Sequence, residues 1–229
     1  MKGYKAIEAK VCIVGETAVG KTCIIHRTID GNFIGTTQPT ISGVHDYHYD
    51  KDGNKIDFKI WDTAGQDTYR SLVPFYWQKA HVIIVVFDVT NKESYDALQE
   101  WHRFIPEPIK NTALLVLVGN KKDLSDSRVV DTVKAEDTAS QLDYARYFEV
   151  SAKSGEGISD LWDFIATSPE IGDISPDDEL APLPPEGTDY NNGEDTNTDT
   201  NNDNTQNQGV ISTVLGYVSS AVNYFKSFF

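Results

Sequence analysis

The fold is decided by KVCIVGETAVGKT, residues 10–22, where a short apolar run leads directly into a glycine-bearing loop. Residues 10–14 have the length and apolar character of a buried strand. GETAVGKT, residues 15–22, fits the pattern G-x-x-x-x-G-K-[ST] and is followed by a helical pattern. The backbone N–H groups of such a loop can surround a phosphate, while Lys21 reaches terminal phosphate oxygens and Thr22 can ligate Mg²⁺. The stretch therefore predicts a phosphate-binding strand–loop–helix unit.

Beyond this unit, strand-length apolar runs alternate with helix-length amphipathic stretches. The strand candidates are residues 10–14, 55–61, 82–87, 113–118 and 147–150. The helix candidates are residues 21–29, 93–104, 133–142 and 158–166. Asp52-Gly53 is typical of a short hairpin, so residues 45–50 are predicted to pair antiparallel with residues 55–61 at one edge. The pattern predicts an α/β fold, with a six-stranded, mostly parallel sheet covered by helices on both faces.

Charge divides the chain near Ser168-Pro169. Residues 1–168 hold 24 acidic and 19 basic residues, whereas residues 169–208 hold 11 acidic and no basic residues. The second segment is too polar to bury enough apolar surface to offset its ordering entropy. We therefore expect a globular domain over 1–168 and an acidic, disordered linker over 169–208. The net charge of -15 also argues against nucleic-acid binding, because few basic residues remain to neutralise a phosphate backbone.

A second motif, WDTAGQ at residues 61–66, ends a predicted strand. Asp62 can hold a metal ion through water, the N–H of Gly65 can meet a γ-phosphate, and Gln66 can orient an attacking water. In open α/β sheets, ligands bind at the carboxyl ends of the strands. The motif is therefore expected beside the phosphate-binding loop.

Two more motifs end the last two predicted strands. NKKD, residues 120–123, follows LLVLVG, and SAK, residues 151–153, follows FEV. The carboxylate of Asp123 suits the paired donors on N1 and N2 of guanine, a pair that adenine lacks. These motifs predict a guanine site at the same edge of the sheet as the phosphate site.

Together the motifs make the chain resemble the Rab family within the Ras superfamily of small GTPases, over about residues 6–168. The likeness to the Rab family depends on WDTAGQDTYRSLVPFYW, residues 61–77, which is similar to that family's WDTAGQE–YRSL–P–YY segment. The resemblance implies the P-loop small-GTPase fold, with GTP or GDP and Mg²⁺ as bound cofactors. It also implies a switch that hydrolyses GTP and recruits effectors in vesicle trafficking.

The resemblance further implies which residues form the site. It assigns Gln66, Lys21 and Thr40 to catalysis, and Thr22, Thr40 and Asp62 to the metal ion. The nucleotide contacts that it implies are Gly15, Ala18, Val19, Gly20, Lys21, Thr22, Cys23, Phe33, Thr40, Gly65, Asn120, Lys121, Asp123, Ser151, Ala152 and Lys153.

Departures from the family pattern bear on the rate of hydrolysis. Thr17 and Ala18 stand where many relatives carry glycine or serine, and their side chains can crowd the water that Gln66 would orient. The loop from Phe33 to Ser42, here called loop 33–42, contains no arginine. We therefore expect slow hydrolysis unless an activating protein supplies an arginine. A nucleotide-binding scaffold with little or no turnover is the alternative that the sequence leaves open.

The same resemblance implies where partners bind. Exchange factors, GTPase-activating proteins and effectors would contact loop 33–42 and the segment from Asp62 to Tyr76. Trp61 and Tyr76 match two of three aromatic residues that effectors read in this family, whereas His45 stands where the third, a phenylalanine, is expected. The identity of the effectors is therefore left open.

The chain ends in GVISTVLGYVSSAVNYFKSFF, residues 209–229. Its apolar residues recur at spacings of three and four, opposite a face of small Ser, Thr and Gly residues, which predicts an amphipathic helix. No cysteine follows Cys23, so we expect no prenylation of this segment. We expect this helix to lie on a membrane surface, with a membrane-spanning anchor and a helix docked on protein as alternatives. The expected location is the cytoplasm, peripheral on an endosomal or Golgi membrane.

Overall fold

The computed structural model describes residues 7–35, 42–63 and 77–175, all within one of the two units into which the chain divides, Met1–Ala181. Six strands form one sheet in the order β2-β3-β1-β4-β5-β6. The strands are β1 (Ile7–Val14), β2 (Ser42–Lys51), β3 (Asn54–Thr63), β4 (Val82–Asp88), β5 (Leu114–Asn120) and β6 (Arg146–Glu149). Neighbouring strands are parallel except β2 and β3, which are antiparallel. The predicted fold class is confirmed.

Within the described ranges, five α-helices lie between strands in the chain, and two follow the last strand. They are α1 (Lys21–Asp30), α2 (Lys92–Asp96), α3 (Leu98–Phe104), α4 (Glu107–Lys110), α5 (Thr132–Gln141), α6 (Ile158–Ala166) and α7 (Pro169–Gly172). The single helix predicted over residues 93–104 is divided at Ala97 into two short helices, α2 and α3, and the Ala97 N–H bonds the carbonyl oxygens of Glu93 and Tyr95. Periodicity could not show this break, since Ala97 keeps helical dihedrals, φ -71° and ψ -10°.

The central strands β1, β4 and β5 are buried along nearly their whole length, which explains why they read as continuous apolar runs. Alternate residues of β1 enter two separate hydrophobic clusters. Val11 and Ile13 pack with residues such as Trp162 of α6. Cys12 packs in the other cluster, which includes Trp101 of α3. The two clusters fix β1, and with it the loop that follows, at the centre of the domain.

The packed part of the chain continues past the boundary expected at Ser168-Pro169. Pro169 starts α7, and Ile171 and Ile174 are buried in the cluster that also contains Ile165. Two isoleucines within residues 169–175, a stretch that the sequence assigned to the linker, therefore supply apolar surface that the rest of the acidic stretch lacks. The rest of the predicted linker and residues 209–229 lie outside the described residues. Among residues 7–35, 42–63 and 77–175, none of the helices combines the length and the apolar character that a membrane crossing requires.

Candidate nucleotide site

The loop that follows β1 contains two glycines at positions that leave no room for a side chain. Gly15 has φ +138°, and a Cβ there would lie 2.1 Å from the carbonyl oxygen of Val86. Gly20 has φ +97°, and a Cβ there would lie 2.3 Å from Nδ2 of Asn120. Ala18 also has positive φ, 62°. The loop therefore has a tightly curled backbone, of the kind that can surround an anion with N–H groups.

Lys21 begins α1, and its side chain turns back into the curl. Its Nζ donates hydrogen bonds to the carbonyl oxygens of Gly15 and Glu16, both at 2.8 Å. Burial lowers the pKa of Lys21 to about 8, although the carboxylates of Asp62 and Glu16 oppose this shift. Trp101 Nε1 donates to Glu16 Oε1 at 2.9 Å and so orients the second of these carboxylates. A buried ammonium is costly without nearby negative charge, which a phosphate group would supply.

Thr22 and Asp62 bring two oxygen-bearing side chains together beside Lys21. Thr22 Oγ1 donates to Asp62 Oδ2 at 2.7 Å, linking the start of α1 to the end of β3. Asp62 is fully buried, and the next residue, Thr63, bonds the carbonyl oxygen of Ile13 at 2.7 Å. Mg²⁺ in proteins prefers hard oxygen ligands and is held by one or two such side chains together with substrate phosphates. The Thr22–Asp62 pair fits that ligand set.

Asn120 connects the phosphate loop to the SAK loop. It is 2% exposed, its Nδ2 donates to the carbonyl oxygen of Val19 at 2.8 Å, and its Oδ1 accepts from Ala152 N–H at 3.1 Å. Lys121, the next residue, has φ +68°, and its Nζ lies 2.6 Å from Asp88 Oδ2. The end of β5 is therefore joined both to the β1 loop and to the end of β4.

Asp123 is oriented by the SAK loop. Ser151 Oγ donates to Asp123 Oδ1 at 2.6 Å, and Lys153 Nζ lies 3.9 Å from Asp123 Oδ2. Ser151 is fully buried, and its hydroxyl also accepts from Ser154 N–H at 3.0 Å. A carboxylate fixed in this way can accept from the two adjacent N–H donors of guanine. It is less suited to adenine, whose corresponding edge lacks such a pair of donors.

Comparison with known proteins identifies the family. A sequence model of the Ras family matches residues 10–170. Ras-related protein Rab-26 of Rattus norvegicus is 40% identical over 149 residues, which cover 64% of this chain and 57% of that protein. GTP-binding protein YPT53 of Saccharomyces cerevisiae is 36% identical over 160 residues, 67% of this chain and 72% of that protein. Ras-related protein Rab-30 of Homo sapiens is 37% identical over 156 residues, which cover 67% of this chain and 75% of that protein.

The chain belongs to the Rab family of the Ras superfamily. The match spans a little over half of the length of the Rab-26 relatives, 57% for the rat protein. The family agrees with the fold described above, a mostly parallel six-stranded sheet with one antiparallel pair.

Other predicted site residues of this Rab-family chain lie around the two ends of α1. Phe33, matched to the aromatic residue that packs on the base, is 41% exposed. Cys23 Sγ lies 3.5 Å from the carbonyl oxygen of Ile34 and so contacts the segment that carries Phe33. The predictions that lie outside the described residues are those for Thr40, Gly65, Gln66 and Tyr76.

Of the residues expected to contact effectors, Trp61 is buried, whereas His45 lies next to another histidine. Trp61 is only 3% exposed, and Lys10 Nζ lies 3.8 Å from the centre of its ring, so Trp61 is a packing residue in this conformation. His45 lies edge-on to His26 of α1, with ring centroids 5.9 Å apart, and His26 Nδ1 lies 2.9 Å from Asp30 Oδ2. The histidine that replaces the expected phenylalanine therefore faces a second histidine, which gives this surface a polar character.

Sequence reasoning missed two residues that hold the site together, Asp88 and Arg27. Asp88 follows directly on the strand predicted at residues 82–87, and that position at a strand's carboxyl end could have singled it out. Its Oδ1 also accepts from the backbone N–H and the hydroxyl of Thr90, at 2.8 and 2.7 Å. Arg27 lies inside α1, and nothing in the local pattern points to its long-range contacts.

Proposed function

We propose that this Rab-family chain is a GTP-hydrolysing switch. The observation that carries the proposal is the 2.7 Å contact between Thr22 Oγ1 and Asp62 Oδ2 beside the buried ammonium of Lys21. These three groups lie at the mouth of a curled loop whose glycines cannot be replaced without a clash. The name of one relative, GTP-binding protein YPT53, describes the same ligand.

In this proposal the loop amides and Lys21 hold the β- and γ-phosphates, and Thr22, Asp62 and Thr40 would hold Mg²⁺. When bound there, Mg²⁺ neutralises charge on the transferring phosphoryl group. Gln66 would orient a water that attacks the γ-phosphate and leaves GDP and inorganic phosphate. The loops that contain Thr40 and Gly65 would be ordered by the γ-phosphate and released after hydrolysis.

Guanine selectivity in this proposal comes from Asp123. Its carboxylate would accept from N1–H and from the 2-amino group, while Ser151 keeps it in position. Phe33 and Lys121 would cover the base, and Ala152 would contact it from the SAK loop. The hydrogen bonds of Asn120 to both loops support the idea that base and phosphates are held by one connected structure.

Single-turnover hydrolysis tests this function. Full-length protein preloaded with GTP should release phosphate slowly, and faster with a Rab-directed activating protein. Gln66→Leu should slow release at least tenfold while leaving GTP affinity unchanged, because the glutamine is needed only for the attacking water. Gln78→Leu, the same change twelve residues further along, is the matched control and should behave as wild type. Tight GTP binding with no phosphate release in any condition would instead establish the nucleotide-binding scaffold.

We further propose that exchange factors, activating proteins and effectors contact loop 33–42 and the segment from Asp62 to Tyr76. His45 follows loop 33–42 by three residues in the sequence and lies edge-on to His26. Effectors that contact it would need groups suited to imidazole, such as carboxylates or carbonyl oxygens, rather than a purely aliphatic surface.

Residues 209–229 are proposed to bind a membrane surface as an amphipathic helix, at an endosomal or Golgi membrane. Support comes from the segregation of apolar residues from Ser, Thr and Gly residues in the sequence. Full-length protein should float with small neutral liposomes, and deletion of 209–229 should abolish flotation. Carbonate-resistant association in cells would favour a membrane-spanning segment instead, and binding to a partner protein without liposome flotation would favour a docked helix.

A further inference from the structure

We propose that Arg27 is a positioning residue for base recognition, which clamps the SAK loop onto α1. The proposal rests on the proposed guanine-nucleotide function and adds a residue to which neither the motifs nor the family comparison points.

Arg27 uses its guanidinium fork on three backbone carbonyl oxygens. Nε donates to Ala152 at 2.7 Å, Nη2 donates to Lys153, and Nη1 donates to Gly31 at 2.5 Å. Two of the acceptors lie 125 and 126 residues away in the chain. A guanidinium holds its N–H donors in a fixed plane, so three acceptors in one geometry suit arginine and not lysine.

The hydrogen bonds from Arg27 help to fix the backbone orientation of Ala152, which is also held by Asn120. Its N–H already donates to Asn120 Oδ1 at 3.1 Å, and its carbonyl oxygen accepts from Arg27. The peptide groups on both sides of Ala152 therefore have fixed partners. Because Ser151 immediately precedes Ala152, the clamp also holds the hydroxyl that orients Asp123.

The turn that contains this segment does not hold its shape by side-chain packing alone. Gly155 and Gly157 both have positive φ, 87° and 75°, and Gly155 lies against the Arg27 side chain, with 3.5 Å from a built Cβ to Cδ. Glycine at such positions has a large backbone entropy to lose. The turn has internal backbone hydrogen bonds, from Ser151 N–H to the Glu156 carbonyl oxygen at 2.9 Å and from Gly155 N–H to that of Ser151 at 2.8 Å, and Arg27 adds charge-assisted bonds from outside it.

The other end of the clamp is the helix that starts at the phosphate loop. Lys21 begins α1, and Arg27 lies six residues along it, about 9 Å at 1.5 Å per residue. The same helix is fixed to α6 by the next residue, since Thr28 Oγ1 accepts from Trp162 Nε1 at 2.8 Å. Arg27 thus connects the element that carries the phosphate-binding lysine to the loop that positions the guanine-binding carboxylate.

The test compares Arg27→Gln and Arg27→Lys with Thr28→Val in the full-length chain. Thr28→Val removes the bond to Trp162 on the same helix without touching the SAK loop, so it is a control for destabilised α1. The readouts are the GDP dissociation rate and the preference for GDP over IDP, whose base lacks the 2-amino group that Asp123 would bind. Melting temperature is measured in parallel.

If Arg27 positions the base loop, Arg27→Gln raises GDP dissociation about tenfold and reduces the preference for GDP over IDP, because charge-assisted bonds to the loop are lost. Arg27→Lys has an intermediate effect, and also provides the readout if the glutamine variant does not fold. Thr28→Val lowers the melting temperature but keeps the preference.

Equal melting-temperature losses in all three variants, with dissociation and preference within twofold of wild type, would overturn the proposal and leave Arg27 as a structural brace. That result is distinct from failure of the proposed function, in which the wild-type chain itself would bind no GDP.

Discussion

The ammonium of Lys10 lies 3.8 Å from the centre of the Trp61 ring, and both residues are buried on the neighbouring strands β1 and β3. Lys10 Nζ also donates to the carbonyl oxygen of Gln78 at 2.9 Å. The contact therefore connects β1, β3 and the segment that precedes β4. It also places a charge where desolvation is expensive, and burial lowers the pKa of Lys10.

The lowered pKa of Lys10 predicts a pH dependence of stability. Between its pKa in the folded protein and the usual value of 10.5, the unfolded chain binds more protons than the folded one, so stability rises with pH in this alkaline window. Lys10→Met removes this contribution, so the free energy of unfolding of wild type relative to the variant should increase from pH 7.5 to pH 10. The increase is about 1.4 kcal/mol for each unit of pKa shift.

Urea unfolding at the two pH values measures this difference, and Lys92→Met, at an exposed surface position, is the matched control. Parallel pH profiles for wild type and Lys10→Met would contradict a lowered pKa at this site.

Nucleotide binding should take up protons through Lys21. Burial lowers its pKa to about 8, and bound phosphates favour the charged form. Above pH 8 the free protein must therefore gain a proton to bind, so GDP affinity falls by up to about tenfold per pH unit. Titration calorimetry at pH 9 in buffers of different ionisation enthalpy measures the uptake directly. Lys21→Arg stays charged throughout, and an equal proton uptake by that variant would exclude Lys21 as the source.

Ala18→Gly should stabilise the domain. Ala18 has φ 62°, which costs an alanine about 1–2 kcal/mol, and glycine removes that cost while losing about 0.4–1 kcal/mol of backbone entropy. The net gain expected in chemical denaturation is about 0.5–1 kcal/mol. Ala97→Gly, at φ -71°, has no strain to relieve and should destabilise by about 1 kcal/mol. Two variants that lose stability equally would argue against strain at Ala18.

Asp123→Asn should change base selectivity. The carboxylate can accept from both N1–H and the 2-amino group, whereas an amide places a donor against one of them. The affinity of the variant for GDP should fall about 100-fold. Xanthosine diphosphate, which carries a carbonyl oxygen in place of the 2-amino group, should bind the variant more tightly than it binds the wild type. Competition with a fluorescent nucleotide measures both affinities. Asp126→Asn, three residues further along and exposed, is the control; unchanged selectivity in Asp123→Asn would place the base elsewhere.

The fold was accessible from the sequence because its decisive signals are local. Residues 10–22 contain a strand, a loop and a helix start in one continuous pattern, and the apolar runs mark strands that are buried on both faces. Asp52-Gly53 similarly predicted the antiparallel pair, and both residues have positive φ, 53° and 86°.

The contacts that support the site were not accessible in this way. Arg27 meets the SAK loop across 125 residues, and Lys10 meets Gln78 across 68, so neither partner can be read from spacing or periodicity. The burial of Trp61 depends on the same long-range packing. The packing of Ile171 and Ile174 was not accessible for a related reason, since they are two apolar residues in an acidic stretch and only the folded core shows what they pack against.

The two hydrogen bonds of the Asn120 side chain make one amide a shared support for loops that follow different strands. If the backbone at Val19 shifts, Asn120 must move with it or lose a bond, and the same holds for a shift at Ala152. If the chain binds guanine nucleotide as proposed, a partner that distorts the backbone at Val19 would also disturb Ala152 through Asn120. Such a partner would weaken base binding without contacting the SAK loop.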